Sequence, residues 1–329
     1  MTTRRHFLIQ TAITTGGLAF AASRAWPQQS GAGHPPANPA ANTGAAAAGL
    51  IATMRTNART TPIHSTRLTD TIYLLQGVGG NMLVHLGPDG KLLVDSGIAT
   101  ATPQLKEQLA KFDPHPLRLL VNTHWHFDHT DGNAAMHDAG AFILAHENTR
   151  VRLSSAQRVE ILNTTFPPAP NSALPQETFG DRETLYFDNE PIDLVHAPNA
   201  HTDSDIFLHF RNSNVVQTGD LWFNGMYPLI DANSGGSING MIRGVDQLLQ
   251  IVDEKTKIIP GHGAPGDQSA LSAYRDMLAT VANRIEKLKL AGQSLAQVIA
   301  QHPTADLDAT WNKGMMTPEM FVTVVYNTL

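Results

Sequence analysis

The stretch Thr123-His124-Trp125-His126-Phe127-Asp128-His129-Thr130-Asp131-Gly132-Asn133 decides how this chain is read. His124, His126, Asp128 and His129 are all residue types that bind metal ions, and they crowd into a few positions. On an extended backbone, residues two apart face the same side. His124, His126 and Asp128 then share a face, and a turn after Asp128 swings His129 beside them. A helix would spread the same residues around steps of about 100°. Three imidazoles and a carboxylate this close repel or stand unpaired unless a cation lies among them. The apolar run just before, Leu117 to Val121, reads as a buried parallel strand. The cluster therefore belongs at a strand's C-terminal end, where open α/β sheets place their sites.

Three later positions repeat that setting. His201 lies in Ala197-Pro198-Asn199-Ala200-His201-Thr202, between two strand-like runs. Asp220 ends Gln217-Thr218-Gly219-Asp220, and His262 follows Ile259-Pro260-Gly261. Each comes just past an apolar strand, and the glycines and prolines beside it permit tight turns. His196 competes with His201 but sits on the strand itself. The other histidines (His64, His85, His115, His137, His146, His209 and His302) lack such a setting and read as structural or surface residues.

Composition narrows the chemistry. The 329 residues are 42% apolar, enough for a sizeable core. There is no cysteine, which excludes disulfides, iron–sulfur clusters and thiolate zinc sites. A metal must be held by nitrogen and oxygen, which suits zinc, manganese or iron. A formal charge of −6 without a long basic run argues against a nucleic-acid partner.

Residues 1–25 read as an export signal: Arg4-Arg5-His6-Phe7-Leu8 opens an apolar stretch that ends in small residues at Ala22. The paired arginines resemble the twin-arginine consensus, which implies a periplasmic or secreted protein. The apolar stretch is short for a membrane span and is interrupted by Gly16-Gly17. Cleavage after Ala25 removes three arginines and no acid, taking the formal charge from −6 to −9. Residues 26–49, rich in Ala, Pro, Gly and Asn, read as a disordered linker. A single domain is expected over residues 50–329.

Strands are expected at Thr71–Gln76, Asn81–Leu86, Lys91–Asp95 and Ala141–Ala145, then at Glu183–Phe187, Ile192–His196, Asp205–Phe210, Val215–Thr218 and Lys257–Pro260. Helices are expected at Thr102–Phe112, Asn133–Asp138 and from Asn148, then at Asn239–Asp253, Gln268–Leu290, Ser294–Gln301 and Pro318–Asn327. Residues 163–180, with Pro167-Pro168-Ala169-Pro170, read as a surface loop. The simplest α/β architecture for this order is two sheets packed face to face with helices outside.

Taken in order, HWHFDH, AHTDSD, TGD and PGHG resemble the motifs of the metallo-β-lactamase superfamily over about residues 65–265. The resemblance implies a four-layer αββα sandwich with a dinuclear metal site, two zinc ions or else iron or manganese. It implies that His124, His126 and His201 hold one ion, that Asp128, His129 and His262 hold the other, and that Asp220 bridges them. Asp95, in Leu93-Val94-Asp95-Ser96-Gly97, matches a motif residue that supports the site from behind.

Five neutral imidazoles and two carboxylates carry a charge of about −2 against +4 from two divalent ions, which favours a bridging hydroxide near neutral pH. The implied reaction is hydrolysis of a small carbonyl substrate (ester, lactone, thioester or amide), with Asp128 orienting the nucleophile and moving its proton. Superfamily β-lactamases usually lack a carboxylate at the position of Asp220, and superfamily lactonases often carry Tyr where this chain has Phe223. A β-lactamase and a metal-dependent oxygenase or redox enzyme remain as alternatives. Trp222, Phe223, Tyr227 and Leu229 form either an apolar substrate wall or buried packing, and Arg243 is a weak candidate for anion binding.

Overall fold

The computed structural model describes residues 43–329, with side chains from residue 49 onward. The signal and residues 26–42 of the expected linker lie outside the described residues. The first helix, α1 (Thr43–Asn57), crosses the boundary expected near Leu50, so residues 43–49 are helical rather than linker. The run of alanines there has the strongest intrinsic helix preference of any residue type, which a composition-based reading passes over.

The first half of the chain supplies β1 (His64–Arg67), β2 (Ile72–Gln76), β3 (Met82–Gly87), β4 (Gly90–Val94), β5 (Leu117–Asn122) and β6 (Phe142–His146). A short hairpin follows, β7 (Gln157–Val159) with β8 (Thr164–Phe166), and then β9 (Glu177–Phe179). Residues 163–180 are thus not a plain surface loop. They hold β8 and β9, and β9 closes one edge of a seven-stranded sheet ordered β1-β2-β3-β4-β5-β6-β9. Strands β4, β5, β6 and β9 run parallel to one another. The second sheet contains β10 (Arg182–Phe187), β11 (Glu190–His196), β12 (Ile206–Phe210), β13 (Val215–Gln217) and β14 (Lys257–Ile259), in that order.

Alternation along the strands makes the layers. Leu92 and Val94 of β4 and Val121 of β5 face Ile206 and Leu208 of β12 and Ile259 of β14 in one core between the sheets. Their neighbours Leu93 and Leu120 point the other way, onto Leu105 and Leu109 of α2 (Thr102–Phe112). On the far side, Phe207, Val216 and Ile258 pack against Met241 and Val245 of α6 (Ile238–Leu249) and Leu278 of α7 (Gln268–Leu290). The result is the helix–sheet–sheet–helix sandwich.

Between α2 and α6 lie α3 (Phe127–Thr130), α4 (Asn133–Asp138) and α5 (Glu147–Leu153). The chain ends in α8 (Leu295–Ala300), α9 (Asp308–Trp311) and α10 (Pro318–Thr328), which complete the outer layer over the second sheet. Ser237, Asp267, Ser294 and Thr317 cap α6, α7, α8 and α10 with side-chain oxygens, which fixes where each begins. No described helix is long and apolar enough to cross a membrane.

Candidate metal centre

Five loops meet at one end of the sandwich, each leaving the C-terminal end of a strand: β4 into Asp95, β5 into the 123–132 stretch, β11 into His201, β13 into Asp220 and β14 into His262. Asn122 and Asn133 exchange side-chain hydrogen bonds of 2.8 and 3.1 Å and so tie together the two ends of the histidine stretch. The backbone N–H of Gly261 donates to Gly219 O at 2.8 Å, joining the last two loops. Gly261 has to be glycine here, because a Cβ would run into the Asp220 carboxylate.

The histidine stretch is not extended throughout. His126 keeps an extended backbone (φ −60°, ψ 150°) and α3 begins at Phe127, so Asp128 and His129 leave from a helical turn. The turn carries out the swing expected after Asp128, two residues sooner, and Thr130 secures it by donating to Trp125 O and His126 O at 3.0 Å.

All seven expected residues come together. The ligand atoms of His124, His126, His201 and Asp220 lie within 4.8 Å of one another, and so do those of Asp128, His129 and His262. Asp220 stands between the groups. Its Oδ1 is 3.2 Å from His129 Nε2, and its Oδ2 is 3.3 Å from His201 Nε2, 3.4 Å from His262 Nε2 and 3.8 Å from His124 Nε2. Asp128 Oδ2 lies 3.4 Å from His262 Nε2. His196 is elsewhere, stacked on His146 with ring centres 3.7 Å apart.

The partners behind the rings set which nitrogens face inward. His201 Nδ1–H donates to Leu229 O at 2.7 Å, and His126 Nε2–H donates to Asp231 Oδ2 at 3.2 Å. Their remaining nitrogens, His201 Nε2 and His126 Nδ1, then meet lone pair to lone pair at 2.7 Å. His129 Nδ1–H donates to Asp95 Oδ2 at 2.7 Å, and Asp95 also accepts from Thr123 N and Oγ1 at 2.8 Å. Asp95 does this from a left-handed backbone (φ 61°), a conformation Asp tolerates better than most residues. His124 Nε2, His129 Nε2 and Asp220 Oδ1 are buried without any hydrogen-bond partner. Such groups are costly to bury unpaired. A donor set of nitrogen and carboxylate oxygen with its lone pairs turned on one another is what a divalent cation satisfies.

Electrostatics agree with that placement. Burial holds His124 well below the ordinary imidazole range and lowers His201 to about 4, so both rings are neutral at physiological pH. Burial opposes charge on His129 as well, but the Asp220, Asp95 and Asp128 carboxylates outweigh it and raise this ring. Burial would raise Asp220, yet His262, His129, His201 and His124 together hold it well below the usual carboxylate range.

Asp231 is the residue the motifs did not point to. It orients His126, accepts from Ser234 Oγ at 2.6 Å, and through Ser234 is linked to Trp125 Nε1 at 3.2 Å. Its sequence setting, Ile230-Asp231-Ala232-Asn233, carries only a turn signal. The aromatic loop after Asp220 divides between the two roles open to it. Phe223 and Leu229 line the site, whereas Trp222 is core and Tyr227 stacks on Phe321 and donates to Asp308 Oδ1 at 2.8 Å. Arg243 is exposed on α6 and lies outside the site's lining.

Residues 75–277 match the family model described as the metallo-beta-lactamase superfamily. A hydroxyacylglutathione hydrolase from Pelagibacter ubique is 24% identical over 190 residues, which span 57% of this chain and 68% of that protein. A probable metallo-hydrolase from Methanocaldococcus jannaschii is 25% identical over 202 residues, 60% of this chain and 93% of that one. A solved metallo-beta-lactamase from Pontibacter korlensis shares the fold at 20% identity with a TM-score of 0.55, covering 66% of this chain and 99% of that one.

Proposed function

This chain belongs to the metallo-beta-lactamase superfamily, and from that premise we propose that it is a dinuclear zinc hydrolase acting on a carbonyl substrate. In this reading His124, His126 and His201 hold one ion, Asp128, His129 and His262 hold the other, and Asp220 serves both. The observation that carries it is the inward-facing lone pairs of two adjacent donor groups that share one carboxylate. A bound pair of divalent ions supplies Lewis acidity toward a carbonyl oxygen and an activated water nucleophile at neutral pH.

The chain's own residues supply the rest. Asp95, Asp231 and Leu229 O fix the orientation of His129, His126 and His201, so no ring has to turn during the reaction. Asp128, on the open side of the cluster, orients the attacking water and takes its proton. Phe127 and Phe223 flank the site and exclude bulk water.

The test is a screen of the metal-loaded protein against esters, lactones, thioesters, β-lactams and phosphodiesters, with metal content and oxygen uptake measured alongside. Two zinc ions per chain and oxygen-independent turnover of a carbonyl compound support the reading. Stoichiometric iron with oxygen consumption overturns it in favour of redox chemistry. Asp128→Asn should lower kcat by about 10²-fold or more, in line with loss of a positioned base. A variant with its metal retained and near-normal kcat would remove Asp128 from the mechanism.

The Arg4-Arg5 run supports a further part of the proposal, export by the twin-arginine route. Replacing both arginines with lysine should leave the protein unprocessed inside the cell, and undiminished export of that variant would defeat this part.

A further inference from the structure

Resting on the hydrolase reading, we infer that the substrate carries a long hydrocarbon chain without an anionic end, which lies in a largely apolar cleft beside the candidate metal centre while only the reacting group enters the site. The site itself is narrow. Its free volume is about 30 Å³, and beyond the ligands its walls include Ile51 and Met54 of α1, Phe127, Phe166, Phe223 and Leu229. Only a small group fits there. Alongside it lies a cleft of about 790 Å³, walled by Ile161 in the β7–β8 turn, Ile230, Ile299 of α8, and Met320 and Val324 of α10. Leu50, Leu162 and Met315 line both spaces, so the cleft adjoins the site across these three side chains. Its size is that of a pocket taking a whole small ligand.

Charge narrows the occupant further. Among the described residues, neither space is lined by a lysine or an arginine. The charged residues on the cleft's lining are Glu160, Asp231 and Glu319. Asp231 is already engaged with His126 and Ser234, and Glu160 is paired with Arg158 at 2.6 Å. Nothing in the lining offers a counter-charge to an anionic tail. Burying such a tail without a partner is costly, whereas burying methylenes is favourable. The elements that form the cleft, α1, the β7–β8 hairpin and α10, flank the sandwich, so the chain can lie along them without disturbing the ligand loops.

The experiment measures kcat/KM of the metal-loaded protein on p-nitrophenyl esters from acetate to decanoate and on alkyl acetates from methyl to decyl. In one of the two series kcat/KM should rise roughly threefold to fourfold per added methylene until the cleft is filled, the factor corresponding to burial of one methylene. Met320→Glu and, separately, Ile161→Asp should cut the ratio of decyl-chain to shortest-chain activity at least tenfold, with the thermal melt confirming a folded protein. An ester whose acyl chain ends in a carboxylate should be at least tenfold poorer than its uncharged counterpart. Turnover of short esters with no gain in either series overturns this inference and leaves the hydrolase reading standing. If no ester is turned over, titration calorimetry with 1-decanol decides. Binding weakened by Met320→Glu supports the cleft while the carbonyl reading falls, and absence of binding overturns the inference.

Discussion

His126 shows what a single residue needs before it can serve in this site. Its Nδ1 faces His201 only because Asp231 accepts the proton on the opposite nitrogen. Asp231→Ala leaves that N–H without its carboxylate, frees the ring to turn, and leaves Ser234 without its acceptor. Metal affinity should fall about 10- to 100-fold, as when other outer partners of ligating histidines are lost. Competition against a chelator of known affinity measures this, and unchanged affinity would mean that the ring is held by packing alone. The four ligand candidates at 124–129 were readable from spacing, because their chemistry and their crowding are both local. His201, Asp220 and His262 were readable from their places after apolar strands. Asp231 was not, since its role exists only after the 229–234 loop folds back over the histidine stretch.

Among the elements, the long strands and helices carried their own signals. Strand patterning, Pro103 in the first turn of α2 and the caps of α7, α8 and α10 place β2 to β6, β10 to β14 and these helices within a few residues of the sequence reading. The three-residue strands β7, β8 and β9 each carry one apolar residue, unlike the apolar pairs of β13 and β14, and Pro167, Pro168, Pro170 and Pro175 lie between β8 and β9. Their pairing is a tertiary effect. The first helix is hidden because a run of alanines among glycines and prolines reads as linker by composition, although Leu50, Ile51 and Met54 on it line the site and the cleft. One junction between elements also has a pH signature. His146 ends β6, its Nδ1 accepts from Asn148 N at 3.2 Å to cap α5, and its ring stacks on His196 of β11. Burial, together with the neighbouring His196, lowers His146 from 6.5 to about 4, with Asp203 and Asp181 offsetting part of the effect. Well above pH 6.5 the ring is proton-free in both folded and unfolded chains and contributes nothing to the pH dependence. As the pH falls from about 6.5 toward 4, the unfolded chain takes up a proton that the folded one refuses, so stability declines through that window. His146→Asn keeps an oxygen acceptor for the cap and removes the titration. Its Tm should fall less than that of the native protein between pH 7 and pH 4.5 in parallel melts. Equal slopes would show that His146 is not a source of the acid sensitivity.

At the scale of the whole molecule, the two sheets are joined across the site as well as through their common core. Asn81 donates from its backbone to Gly261 O at 2.8 Å and from its side chain to Pro260 O at 2.9 Å, and Ile206 N donates to Thr123 O at 2.8 Å. The candidate metal centre therefore sits on the seam between the halves, with its residues drawn from both. Ions held there would tie the two sheets together, and chelation would return the buried lone pairs of His124, His126 and His201 to their unpaired state. Stability should then follow mass action: metal at 100 times its Kd adds about 2.7 kcal/mol, and Tm rises with free metal concentration. Excess chelator should lower Tm by several degrees, and restoring zinc should recover it. The gain should shrink as pH falls, because the Asp220 and Asp128 carboxylates raise His129 and His262, and these rings must shed their protons to bind metal. Calorimetric melts across a zinc titration at pH 7.5 and pH 5.5 test both parts together. A Tm indifferent to zinc at pH 7.5 would show that the seam is held by the protein alone and that the seven residues do not bind metal in the folded chain.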